Sequence, residues 1–450
     1  MFSLSKTHKI IAGTATCLVI AGLLVYGIFF NSKASEYKAA LDNQYNRAFY
    51  DLLDNVNTAE TYLLKAVVTG TPEMQTLMLE EAGAAAAQAE GCLSLLPIDQ
   101  NMMSKVSNFL VQLKDISHAW DTVLVDGGRL DEEQYKTLEE LYGYAQDLNG
   151  AFQAVWADMN TGSYDWNEIS NMVNDQGLME KYASLASLGD PFEDYPELIY
   201  DGPFSEHMKT QENPGPEGES VSQEEAAAYV KDLFEYYTPE VTLAGEGTNH
   251  SVKVYNFNVT FGESHVHHAY VDVAVQGGKL CSMIMYRDLG EQTLSAEQAV
   301  QAGESYLNAL GYTDMKATYY SVQGGYVTAN YSYYNNGILY YPDMVKVKIA
   351  MDNGEITGFE GMSYLLNHKE RQLSEKKLSL EEAEKVLSNK ITVENRQEAV
   401  IPNDFGGEEH VYEFQCLYNG RKVLVYVDVG TGKEKEVMIV LESENGILTI

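Results

Sequence analysis

Ser222-Gln-Glu-Glu-Ala226, Ser295-Ala-Glu-Gln-Ala299 and Ser379-Leu-Glu-Glu-Ala383 open three stretches of the chain that read alike. Each continues as a short helical pattern, then as alternating runs closed by a turn: Gly277-Gly278-Lys279, Asn353-Gly354-Glu355 and Thr431-Gly432-Lys433. Opening serine and turn glycine lie 56, 59 and 53 residues apart, and successive openings are 73 and 84 residues apart. That period is too long for a solenoid unit and fits small tandem domains. The serine is a helix N-cap, and Glu225, Gln298 or Glu382, three residues on, closes a capping box. Glu224, Glu297 and Glu381 place negative charge at the positive helix end. Capping accounts for these glutamates, and no partner motif makes them an acid/base pair.

The spacing predicts three strands per repeat: 252–261, 270–275 and 283–286; 326–333, 345–351 and 356–359; 411–417, 423–429 and 436–441. Their period of two and their Gly-Gly, Asn-Gly and Thr-Gly joints predict antiparallel hairpins. One amphipathic helix on a small sheet makes a minimal α+β core. The first repeat has a His-rich strand and a long connection over 240–265.

Upstream, five of the ten prolines fall between Pro191 and Pro216, which marks a linker at about 190–220. Residues 209–220 are its most protease-sensitive part. Within it, Leu198, Ile199, Tyr200 and Phe204 are too apolar for a free linker, and Pro203 follows the turn-forming Asp201-Gly202. This segment either packs on a neighbouring domain or binds a partner.

Residues 37–160 carry near-heptad apolar spacing. The positions are Tyr45, Phe49, Leu52, Val56, Ala59, Leu63 and Ala66; Met103, Val106, Leu110, Leu113, Ser117, Trp120 and Leu124; and Leu138, Leu141, Ala145, Leu148, Phe152, Val155 and Met159. An alanine-rich helix over about 72–95 starts at Pro72 behind Thr71. Breaks at Gly70-Thr71-Pro72, Leu96-Pro97-Ile98-Asp99 and Asp126-Gly127-Gly128 are short, so an up-and-down bundle is expected, with helices of about 25–30 residues and a shorter second one. The bundle reads either as a spacer or as a docking or sensing module, and no convergent polar pocket is legible in it.

Before the bundle, residues 10–30 are 21 positions without a charge. As a helix they span roughly 31 Å, enough for a bilayer core. The length favours an uncleaved anchor over a signal peptide, whose apolar region is about 7–15 residues. Ser32-Lys33-Ala34 leaves cleavage after Ala34 as the alternative. Lys6 and Lys9 precede the segment, and Lys33, Lys38 and Arg47 follow it. Long domains translocate regardless of charge, so residues 1–9 are expected in the cytoplasm and the rest outside.

Thirty basic against 66 acidic residues give a net charge of −36, which speaks against nucleic acid and anionic lipid surfaces as partners. Cys17, Cys92, Cys281 and Cys416 form neither a disulfide framework nor a CxxC pair. In the cluster His265, His267 and His268, a strand would put His265 and His267 on one face with Glu263, and two His and a carboxylate could hold zinc; a hydrated loop or hairpin tip is the alternative. Eight tyrosines crowd 319–341: Tyr319, Tyr320, Tyr326, Tyr331, Tyr333, Tyr334, Tyr340 and Tyr341. Strand packing explains them; glycan stacking or a protein interface is the sharper alternative. The chain has no GxSxG, Walker loop or Rossmann glycine signature, which leans against an enzyme.

A single anchor, a helical ectodomain and tandem Ser-x-Glu-Glu-Ala repeats, with Tyr200-Asp-Gly-Pro-Phe-Ser-Glu-His207 between, resemble the YpeB family of spore germination proteins. The repeats are similar to PepSY modules. The resemblance covers essentially the whole chain. It implies a multidomain fold: anchor 10–30, all-α helical bundle 35–188, linker 189–220, and three small α+β PepSY-like domains over 221–290, 291–368 and 374–450. It implies a non-enzymatic, membrane-anchored protein that binds, stabilises and restrains the spore cortex-lytic enzyme SleB. It places the ectodomain on the outer face of the spore inner membrane, toward the cortex, with peptidoglycan as a further contact. It carries over no catalytic, cofactor, metal or partner-binding residue. A cell-wall-active or zinc-dependent enzyme and an extracytoplasmic ligand-sensing receptor are the rival readings.

Overall fold

The computed structural model describes residues 6–98, 104–125, 128–160, 166, 216, 218–262, 266–403, 406–443 and 446–450. The Tyr200 to His207 segment, most of the proline-rich linker, Glu263 and His265 lie outside these residues. The chain divides into two compact units. One holds Met1–Leu64 and Thr76–Pro191, the other Lys65–Gln75 and Phe192–Ile450.

The first unit is helical: α1 (Lys6–Val68), α2 (Pro72–Leu93), α3 (Ser104–Val125) and α4 (Glu132–Asn160). The heptad positions Phe49, Leu52, Val56, Leu110, Leu113, Leu138, Leu148 and Phe152 are all buried. Phe49 meets Phe152 edge-on at 5.8 Å, joining α1 to α4, and Phe109 lies 4.7 Å from Tyr144, joining α3 to α4. A Cβ on Gly83 would sit 3.0 Å from Ser117 Cβ, so α2 approaches α3 closely, as its buried Ala82, Ala86 and Ala89 also permit. Asn149 donates to Asn57 and Glu60 across the core, at 3.0 and 2.7 Å. The third helix has 22 residues, not the expected 25–30. It ends where the Gly128 amide donates back to the Val123 carbonyl at 3.1 Å, a closing bond that glycine favours.

No helix among the described residues is long and apolar enough to cross a membrane. The side chains of most of residues 10–30 fall outside the description.

The second unit contains the repeats. The first is α5 (Gln223–Leu233), β1 (Glu240–Asn249), β2 (Val252–Thr260), β3 (Val266–Ala274) and β4 (Leu280–Arg287). The next is α6 (Ala296–Ala309), β5 (Met315–Gln323), β6 (Tyr326–Asn335), β7 (Ile338–Ala350), β8 (Ile356–Glu360) and α7 (Met362–Asn367). The last is α8 (Leu380–Glu384), β9 (Thr392–Pro402), β10 (Glu408–Tyr418), β11 (Arg421–Asp428), β12 (Glu434–Ser443) and β13 (Gly446–Thr449). All three capping boxes are formed, and Ser222 holds the Glu225 carboxyl below its ordinary value by hydrogen bonding. The turn glycines Gly278, Gly354 and Gly432 have φ of 59°, 80° and 71°.

Each repeat thus has a first strand that the spacing did not predict, and the third has a further one at its end, β13. β1 occupies the stretch expected to be a long connection. The reason is shared. Register against the next strand slips after Leu243 in β1, after Ala317 in β5 and opposite Gln415/Cys416 in β9. These bulges, at Ala244, Thr318 and Glu394, break the period of two on which a strand is recognised.

All thirteen strands join in one sheet, ordered β1-β2-β3-β4-β8-β7-β6-β5-β13-β12-β11-β10-β9. At the first seam, Ser282, Met283 and Ile284 of β4 pair with Glu360, Phe359 and Gly358 of β8. Both α5 and α6 lie on one face of this joined sheet. Ala226, Val230, Phe257, Met283, Leu307, Val347 and Phe359 share a single core. Each fully buried large side chain there contributes about 1.5–3 kcal/mol. The second seam closes a ring: β7 pairs in parallel with β9 at Ile338–Tyr340, and β5 meets β13 at Ser321 and Gly446. Leu339, Tyr341, Ala399, Ile401, Val411 and Tyr426 pack together within it.

Buried arginines reinforce both seams. Arg287 forks onto Asp352 at 2.9 and 2.6 Å and reaches Glu355 at 3.2 Å, tying β4 to the β7–β8 turn. Arg371 forks between Asp343 on β7 and Glu408 on β10. The Arg287 guanidinium, ahead of the Gly290 amide, holds the Asp352 carboxyl below the usual carboxylate range. A depressed folded value stabilises above the unfolded pKa of about 4 and is lost as pH falls through the folded value. Denaturant titrations should therefore show a constant stability gap between wild type and Asp352→Asn above about pH 5, narrowing below it.

A candidate binding groove on the face opposite α5 and α6

Strand alternation sends Ala269, Val271, Met283 and Met285 into the shared core. It sends their neighbours to the opposite face, where Tyr270, Ile284 and Tyr286 stand 50%, 53% and 48% exposed. Register aligns them across the first seam. Tyr270 lies opposite Ile284, Ile284 opposite Gly358, and Gly358 opposite Lys348. Gly358 is what makes this row concave. A Cβ there would sit 3.0 Å from Lys348 Cβ and would fill the space between Ile284 and the lysine.

The result is a groove of about 410 Å³ along the seam. One wall is Tyr286, which His268 and Tyr270 buttress from outside the lining, His268 stacking on it at 4.6 Å and Tyr270 meeting it edge-on at 6.2 Å. The other is Tyr326 with the Lys348 ammonium 4.2 Å from its ring centroid. Arg287, only 3% exposed, closes one end and is already committed to its carboxylates. Thr357 contributes a hydroxyl that donates to the Lys348 carbonyl at 3.3 Å. The groove offers flat rings, an aliphatic ledge and one exposed cation. This equipment suits stacking and hydrophobic contact with a protein or sugar surface.

The histidine cluster separates. His267 pairs with Asp288 at 3.1 Å, His268 stacks on Tyr286, and His265 is outside the described residues. No group of three or more potential metal ligands occurs among the described residues. The tyrosine-rich stretch 319–341 also divides. Tyr319, Tyr331 and Tyr341 are buried, and only Tyr326 lines the groove. Tyr270, Ile284 and Tyr286 were not singled out from sequence. Their signal was present: Met283-Ile284-Met285-Tyr286 is apolar on both faces, although α5 and α6 cover only one of them.

Comparison with known proteins places the whole chain in context. A family model described as YpeB N-terminal matches residues 33–168, and one described as YpeB sporulation, PepSY1 and PepSY2 domains, matches residues 182–374. The sporulation protein YpeB of Oceanobacillus iheyensis is 22% identical over 433 residues, covering 93% of this chain and 94% of that protein. That of Halalkalibacterium halodurans is 25% identical over 415 residues, covering 90% and 91%. That of Bacillus subtilis is 22% identical over 448 residues, covering 93% and 96%. Among solved structures, the Bacillus megaterium YpeB C-terminal domain aligns with a TM-score of 0.47 at 22% identity, covering 50% of this chain and 100% of that one.

Proposed function

Since the chain belongs to the YpeB family of sporulation proteins, we propose that it acts in spore germination as a non-enzymatic, membrane-anchored scaffold for the cortex-lytic enzyme SleB. The groove over the β4–β8 seam carries this reading. It presents an aromatic and aliphatic surface on a sheet that two repeats build jointly, and its lining is equipped for contact. A rigid, preorganised face loses little entropy when a partner docks.

Anchoring is part of the same proposal. Leu23, Val25, Tyr26, Ile28, Phe29 and Phe30 lie on α1 between 60% and 71% exposed, a stretch apolar on every side. Such a helix needs a non-aqueous surrounding. Residues 10–30 would cross the spore inner membrane, with the repeats outside it facing the cortex and its peptidoglycan.

The test is a binding measurement between the full chain and the cortex-lytic enzyme, with Ile284→Ser and Tyr286→Ser combined. Removing two central anchors should cost about 2 kcal/mol or more, roughly thirty-fold in Kd. An unchanged Kd in a correctly folded variant rejects the groove as the seat. Release of muropeptides by the purified chain alone rejects the non-enzymatic reading.

A further inference from the structure

At the mouth of the ring that β5–β7 and β9–β13 close lies a cavity of about 290 Å³. At roughly 30 Å³ per water it would hold on the order of ten waters. Glu413 lines it and is 1% exposed. Its Oε2 accepts from the Tyr341 hydroxyl at 2.7 Å, and its Oε1 accepts from the Gln397 and Gln415 amides at 3.0 and 3.1 Å. All three donors are neutral, and Glu413 has no cation within ion-pair distance among the described residues. A carboxylate offers about four acceptor sites, so one on Oε2 stays open. Burying an ionised carboxylate without an opposite charge costs several kcal/mol. In the same lining, the buried Thr449 hydroxyl has no hydrogen-bond partner.

The mouth differs from the floor. Lys316 and Lys422 are exposed there, beside a single carboxylate, Glu394. The Lys316 ammonium donates to Gln397 Oε1 at 3.0 Å, and Gln397 in turn donates to Glu413, so a polar relay runs from mouth to floor. Leu339 and Leu424 supply apolar lining. A cation-seeking floor, the Lys316 ammonium at the mouth and apolar sides define a small zwitterion.

We infer that this cavity binds the head group of an α-amino acid, with the primary ammonium on Glu413 and the carboxylate toward Lys316. Free amino acids and the first residue of a peptide share the ammonium. They differ in whether a carboxylate can meet Lys316.

The experiment is calorimetric titration of the full chain with the twenty free amino acids, their N-acetyl forms and the matching dipeptides. At least one free amino acid should bind saturably, its N-acetyl form should not, and Glu413→Gln should weaken binding at least tenfold. Lys316→Met should weaken free amino acids and leave a dipeptide less affected. A dipeptide that binds while every free amino acid fails assigns the site to peptide N-termini. Absence of all binding, equal binding of the N-acetyl form, or unchanged binding in Glu413→Gln overturns the inference. If Glu413→Gln does not fold, Ala317→Phe, which fills the cavity, takes its place. Unchanged binding in that variant is equally fatal.

Discussion

Arg371→Ala should be the most destabilising change at the second seam, at about 3–5 kcal/mol, because it strands a buried carboxylate without its charge partner. Asp343 is fully buried, and Arg371 is 6% exposed between Asp343 and Glu408. The guanidinium also donates to the Asn367 carbonyl at 2.9 Å and lies 5.2 Å from the Tyr340 ring centroid. His368 reaches the same carboxylate at 2.7 Å but is 35% exposed and cannot replace a buried fork. Urea denaturation should show the loss as a lower midpoint. Arg371→Lys should recover part of it, since lysine restores charge but not the planar fork. If Arg371→Ala costs under 1 kcal/mol, the seam is held by strand pairing alone.

Tyr331→Ala should cost a similar amount in the first core, about 3–5 kcal/mol as for other buried aromatic truncations. Tyr331 is fully buried on β6, and its hydroxyl donates to the Val300 carbonyl of α6 at 2.6 Å. Gly303 opens the space for it: a Cβ there would lie 2.2 Å from the hydroxyl. Tyr331→Phe removes only the hydrogen bond and should cost about 0.5–1.5 kcal/mol. Gly303→Ala alone should destabilise, and combination with Tyr331→Phe should relieve part of the loss, the ring carbon Cζ staying 3.0 Å from the added Cβ. Additive losses in that double variant would show that the hydroxyl is not what the glycine accommodates.

The parts legible in sequence were those with short-range causes. A capping box needs a serine and a glutamate or glutamine three residues on, and all three formed. Turn glycines and core-facing heptads were readable for the same reason. The first strand of each repeat was not, because bulges at Ala244, Thr318 and Glu394 interrupt the alternation. The ring was hidden because β5 pairs with β13, a partner far along the chain, which no local pattern encodes. The groove was hidden because its central element is a missing side chain. Gly358 is informative only once Ile284 and Lys348 are known to flank it.

The β4–β8 seam has a consequence for assembly of the chain. β4 waits for a partner strand more than seventy residues further on. Until β8 arrives, β4 presents an unpaired edge, and contacts of such long separation form late. Two chains caught at that stage could exchange β8, each completing the other's sheet with the same three residue pairs. Variants that slow closure of the second repeat should therefore accumulate as intertwined dimers, while in the sealed monomer Ser282, Met283 and Ile284 are already paired and no longer recruit a second copy.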